Sequence, residues 1–163
     1  MKLAEALQLR TDLKTNLMGI QRRLEAVSLV EEGEKPVEDP SALLDKHLST
    51  SERLESLAVK IASANQDNNV QFGGHTLTLS KALAKREQLR FRVNFLRGFH
   101  ESLVTGTRSR YYGSDTGKIT RIIHPSEIET QLNHASSDLR NLNSAIQEKN
   151  WTTDLEMATI PAE

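Results

Sequence analysis

The densest set of side chains able to do chemistry lies between Arg108 and Arg121. Arg108, Arg110, Tyr111, Tyr112, Lys118 and Arg121 stand in and beside TGTRSRYYGSDTG (105–117), a stretch of Gly, Ser and Thr. Guanidinium groups grip phosphate as a fork, and tyrosine rings stack on bases. The set is therefore suited to an anion or to a single nucleic-acid strand. It sits in a wider basic segment: residues 81–121 hold ten Lys and Arg against three acids, a net of +7, and the rest of the chain carries -8. The whole chain is at -1. That balance favours a simpler reading, a basic face that pairs with acidic helices of the same molecule or of a second copy.

Within the loop, Gly113-Ser114-Asp115-Thr116-Gly117-Lys118 has the look of a phosphate loop but not its requirements. The Walker pattern places a glycine where this chain has Tyr112, and Ser or Thr where it has Ile119. The following residues also read as a strand, whereas a phosphate loop opens a helix. An exposed turn fits better.

Metal chemistry finds only pairs. His47, His75, His100, His124 and His134 are scattered. His134 and Asp138 share a helix face at i, i+4, and His124 and Glu127 stand at i, i+3, but no HExxH motif or dense carboxylate cluster accompanies them. A Mg²⁺-dependent hydrolase needs several carboxylates on facing helices. Glu52 and Glu55 supply one such step, Glu31 and Glu32 fall in a connection, and Glu87 and Glu101 stand alone on their helix. Nucleophilic catalysis has no G-x-S-x-G to rest on. With no cysteine, disulfides, Cys-ligated zinc and a thiol nucleophile are excluded. The expectation is no metal and no cofactor, with a metal-dependent hydrolase as the weakest of the functional readings.

The elements that position these groups are helices. Leu3, Ala6, Leu13, Leu17, Ile20, Leu24 and Val27 step by three and four, with Arg10 at the missing position, and predict a helix over about 2–30. EEGEKPVEDP (31–40) is an acidic connection, and Asp39-Pro40 reads as an N-cap with proline in the first turn. A second helix follows over about 40–64, with Leu43, Leu44, Leu48, Leu54, Leu57, Ala58 and Ile61 as its apolar set. Ser49-Thr50-Ser51 is weak in helix propensity and leaves open a break there. Residues 70–79 alternate on both sides of Gly73-Gly74, the mark of a hairpin. Thr78 or Ser80 then caps a third helix, over about 80–104. Leu79, Ala82, Leu89, Val93, Leu96 and Leu103 form its seam with Arg86 and His100, and Phe91, Phe95 and Phe99 form a second stripe. Two stripes imply more than one neighbour. Residues 118–123 (KITRII) read as a strand pairing with the hairpin. Pro125 opens a fourth helix over about 125–149 on the heptad Ile128, Leu132, Ala135, Leu139, Leu142 and Ile146. Trp151 is expected to pack the chain end onto the bundle, and residues 156–163 to fray.

Arg10 and Arg86 occupy seam positions. A long cation there either snorkels to the edge or meets a carboxylate, for which Asp45 and Asp138 are candidates, and both outcomes are structural.

Two stretches carry a family resemblance: Leu77-Thr78-Leu79-Ser80-Lys81-Ala82-Leu83-Ala84-Lys85-Arg86 after the Gly-Gly hairpin, and Ile146-Gln147-Glu148-Lys149-Asn150-Trp151-Thr152-Thr153-Asp154-Leu155. Over nearly the whole chain the protein resembles small bacterial helical proteins that often carry the label "septicolysin". The resemblance implies a bacterial cytosolic helical protein with no assigned catalytic residues. The label implies a pore-forming cytolysin, which the sequence does not support. No secretory signal or apolar spanning segment is visible, and the hairpin is too short for bilayer-crossing strands of about 9–11 residues.

The expected architecture is mainly α: a four-helix, coiled-coil-like bundle with a small inserted β element at 70–79 and 118–123, in one domain over 1–155. The expected function is that of a non-enzymatic, self-assembling structural or interaction protein of the cytoplasm. It forms a homo-oligomer and has no membrane partner. Anion or single-stranded nucleic-acid binding through the 106–121 loop is the alternative.

Overall fold

The computed structural model describes residues 1–110 and 122–156, with 106–110 described by their backbone alone. The fold is mainly α: α1 (Leu3–Val27), α2 (Pro40–Asp67), a hairpin of β1 (Asn69–Phe72) and β2 (His75–Thr78), α3 (Leu79–Arg110) and α4 (Pro125–Thr152). Contacts divide the chain into two compact units, Met1–Asn69 with the chain from Gln147, and Val70–Ile146.

In the first unit α1 packs along α2. The seam of α1 is the one its spacing predicts: Leu3, Ala6, Leu13 and Ile20 are buried, and Arg10, Leu17, Leu24 and Val27 are half-buried. The helix starts where the Glu5 carboxylate accepts from the Lys2 backbone N–H (2.7 Å), which satisfies one of the free donors of the first turn. Asp39 caps α2 as expected, accepting from Ser41 N at 2.9 Å, with Pro40 in the first turn.

The seam of α2 differs from the expected set. Leu44 and Leu48 are 48% and 53% exposed, and Ala58 is exposed too, whereas Leu43, Thr50, Leu57 and Ile61 are buried and His47, Leu54 and Ala64 half-buried. Positions 43, 47, 50, 54, 57, 61 and 64 keep an unbroken heptad in which His and Thr hold two of the seats. Thr50 is thus a core residue, and α2 runs unbroken through 49–51.

The chain end closes this unit. Leu3 N donates to Thr153 O (2.9 Å), Leu155 N to Met1 O (2.8 Å), and Lys2 Nζ to Asp154 Oδ2 (2.8 Å). Thr153 Oγ1 also donates to the Oδ1 of Asn68, the C-cap of α2 (3.2 Å). Leu155 and Thr153 are buried, but Trp151 is 59% exposed. The expectation that Trp151 anchors the chain end is therefore corrected. Its neighbours in sequence do so, through backbone pairing and Leu155.

In the second unit Gly73 and Gly74 have φ of 58° and 77°, the pair of positive values that a type I′ turn needs. Thr78 caps α3, its Oγ1 accepting from Lys81 N at 3.2 Å. Leu79, Ala82, Leu89, Val93 and Leu96 are buried, with Arg86, His100 and Leu103 half-buried between and beyond them. From α4, Ile128 and Ala135 pack with Val93 and Leu96, joined by Leu132, Leu139, Phe99 and Leu103.

α3 continues to Arg110, beyond the expected end near 104. Ser102 Oγ donates to Phe99 O (2.8 Å) and Thr105 Oγ1 to Glu101 O (2.7 Å). Hydroxyls that turn back onto their own helix no longer compete with it, so a Ser/Thr run need not be a loop. The expected strand at 118–123 lies for the most part outside the described residues; Ile122 and Ile123, which are described, form a bend.

Candidate functional site

Arg108 and Arg110 fall in the last turns of α3 and not in the loop expected from composition. Their side chains, and Tyr111, Tyr112, Lys118 and Arg121 altogether, lie outside the described residues.

What the described residues do form is a groove between the hairpin and the first turns of α3. Its volume is about 540 Å³ and its lining is Phe72, Gly73, His75, Leu77, Lys81, Ala84, Lys85 and Gln88. The hairpin turn exists because two glycines accept positive φ, and it holds His75 at the edge. The α3 wall exists because positions 81, 84, 85 and 88 share one helix face. Half-buried Phe72 and Leu77 make an apolar floor, and exposed Lys81 and Lys85 make a cationic rim, with exposed His75 beside them. Lys85 Nζ donates to Gln88 Oε1 at 3.2 Å. Among the described residues, neither lysine has a carboxylate partner. The volume is within the range of ligand sites, and the polar part of the lining is Lys81, Lys85, Gln88 and His75. It is suited to an acidic, partly apolar surface. Sequence reading missed the groove because its residues are individually ordinary; the local signal is the hairpin running straight into a lysine-bearing helix.

The same face of α3 continues past the groove. Phe91 is 78% and Phe95 61% exposed, and Phe95 stacks on Phe99 with ring centroids 5.9 Å apart. Of the stripe expected to meet a further neighbour, Phe99 packs on the α3–α4 core while Phe91 and Phe95 are exposed in the single chain. Arg90, Arg92 and Arg97 are exposed nearby on the helix.

Opposite the groove, in the seam, Arg86 is half-buried and its Nε is buried with no hydrogen-bond partner among the described residues. Asp45 and Asp138 are both exposed, and neither pairs with Arg10 or Arg86 among the described residues. Among the described residues Arg86 thus fits the edge-reaching outcome and not the buried ion pair.

Two ion pairs perturb their carboxylates. Arg23 grips Glu38 through Nε (3.0 Å to Oε1) and through its terminal nitrogen on Oε2; this hydrogen-bonded pairing lowers the Glu38 pKa and raises that of Arg23. Lys2 lowers the pKa of Asp154 in the same way. Both pairs are exposed and hold chain segments in place. Among the described residues, no three of His, Asp and Glu come together as a metal site, so His134–Asp138 and Glu52–Glu55 gain no further ligand. No helix among the described residues is long and apolar enough to cross a membrane.

Comparison with known proteins adds the fold and a family. The crystal structure of a functionally unknown conserved protein from Corynebacterium diphtheriae is 27% identical in sequence and superposes with a TM-score of 0.80, over 96% of this chain and 99% of that one. No curated protein matches. A family of unknown function, DUF6847, matches residues 10–155, and the chain belongs to that family.

Proposed function

We propose that this protein is a non-enzymatic, cytoplasmic interaction protein that assembles with itself through the outward face of α3. The observation that carries the reading is the exposure of Phe91 and Phe95 on that face. Phe91, Phe95 and Gly98 are spaced by four and three, as in a coiled-coil seam, on the side opposite the buried one and beyond the groove. Isolated exposed apolar residues need no explanation, but aromatic side chains aligned on seam spacing do.

Burying an exposed Phe contributes about 1.5–3 kcal/mol; scaled by the exposures, the pair contributes roughly 2–4 kcal/mol per copy. A symmetric dimer would gain roughly twice that, which reaches only the lower part of the 4–15 kcal/mol that docking costs. Apolar burial alone is thus marginal, and the opposite charge of the two parts of the chain supplies what it lacks.

Light scattering on the wild type and on F91E/F95E tests the reading. Both sites are exposed, so the variant keeps its helical circular dichroism. A wild-type multimer that falls to the monomer mass in the variant is the expected outcome. A wild type that stays monomeric at high micromolar concentration overturns the reading.

A second reading is anion or single-stranded nucleic-acid binding through Arg108, Arg110, Tyr111, Tyr112, Lys118 and Arg121. Exposed Phe91, Phe95 and Arg92 on the same helix favour it, since bases stack on aromatic rings beside cations. It requires RNA affinity that falls steeply with salt and drops in R108A/R110A.

A further inference from the structure

The acidic connection between α1 and α2 has the chemistry that the groove lacks. Glu31, Glu32 and Glu34 are exposed, and among the described residues none is paired with a cation. Beside them stand exposed apolar side chains: Leu29 at 87%, Val30 at 49% and Val37 at 97%. Nor is the segment a loose tether. Glu34 N donates to Glu31 O (3.0 Å), Gly33 turns the chain with a φ of 93°, Arg23 holds Glu38, and Asp39 is fixed as the α2 cap. It is a shaped knuckle carrying acids and uncovered aliphatic side chains. The groove is its complement, with Phe72 and Leu77 as an apolar floor under Lys81, Lys85 and His75.

We propose that the hairpin–α3 groove receives the Leu29–Glu38 connection of a second copy of this chain, with Val37 or Leu29 on the Phe72–Leu77 floor and Glu31, Glu32 and Glu34 against Lys81 and Lys85. The proposal rests on the self-assembly reading and names the contact that gives it specificity. Groove and connection are different patches. In a two-fold dimer each copy supplies one of each, so the contact is made twice. Like charges brought together there repel, so the contact also selects register and rejects wrong pairings.

Charge reversal tests the contact. The first variant is K81E/K85E and the second is E31K/E32K/E34K; every substituted side chain is exposed, and circular dichroism melts check that both variants fold. The expected result is a wild-type multimer, loss of that multimer in each variant alone, and its recovery when the two variants are mixed. In the mixed dimer the acidic groove meets the basic connection, and the native groove of one copy meets the native connection of the other. If the wild type is a multimer and either variant alone keeps the wild-type mass, or the mixture stays monomeric, this contact is overturned while self-assembly stands. If the wild type is itself a monomer, both the assembly reading and this contact fall. A mass that rises only when short single-stranded RNA is added overturns them in favour of nucleic-acid binding.

Discussion

Replacing Arg86 by methionine should stabilise the fold. Arg86 sits in the α3 seam between Ala82 and Leu89, both buried, and its Nε has neither solvent nor, among the described residues, a hydrogen-bond partner. Leaving a buried donor unsatisfied costs about 1–3 kcal/mol. Methionine keeps the unbranched stem that packs in the seam, has a helix propensity close to that of arginine, and removes the N–H. Against this stands the loss of a guanidinium end that reaches water, which reduces the gain to about 1–2 kcal/mol. For a chain of this size each kcal/mol moves the melting temperature by about 2–4 °C, so R86M should melt about 2–8 °C above the wild type. The assay is a reversible thermal melt by circular dichroism at one protein concentration, because assembly would otherwise move the midpoint. R86A serves as the control. It removes the donor but also the stem, opens a hole, and should melt below R86M. An R86M melting temperature below that of the wild type would refute the reasoning, since it would mean that the cation is held by a partner whose loss outweighs the orphaned donor.

Two further outcomes follow from packing and charge. Leu142 is fully buried, so L142A should cost about 2–5 kcal/mol, read as a lower denaturant midpoint with an unchanged slope. The Asp154 pKa is lowered by its Lys2 partner, so the stability from that pair is complete above the ordinary carboxylate value of about 4 and is lost as pH falls through the lower folded-state value. Amide protection at Leu3 and Leu155, corrected for intrinsic exchange, should therefore hold through about pH 5 and weaken only below it; D154N should be insensitive over that range, and an equal loss in D154N would remove the ion pair from the explanation.

The helices were legible because three of the four seams are mostly apolar, and a run of three-and-four spacing survives one polar seat, as at Arg10 or Arg86. In α2 two of the seats are His47 and Thr50. Counting apolar residues alone there selects Leu44, Leu48 and Ala58, which the fold leaves exposed, and makes Ser49-Thr50-Ser51 look like a break. The end of α3 is hidden from composition for a related reason. Hydroxyl residues count against a helix by propensity, while Ser102 and Thr105 bond back onto it. The candidate site was legible only as charge. That a basic segment exists follows from the sequence. Which of its cations share a surface with an apolar floor depends on where the hairpin lies against α3, which no local spacing encodes.

The phenylalanine stripe was legible in position but not in role, and the geometry of the helix accounts for both. Each residue turns the helix by about 100°, so alternating steps of three and four stay on one line, while steps of four alone advance about 40° each time. Phe91 lies nearly opposite the Leu89–Val93–Leu96 seam. Phe95 and Phe99 then walk round toward it, and exposure falls along the series from 78% to 61% to half-buried. Phe99 thus belongs to the core that α3 shares with α4, and Phe91 belongs to the outside. The internal seams are already filled: Leu142 is sealed within the chain and Leu139 packs on the α3–α4 core. Introducing a charge at either would unfold the protein whether or not it assembles. Phe91 and Phe95 are instead exposed aromatic surface outside the filled seams, so F91E/F95E is a substitution that separates association from folding.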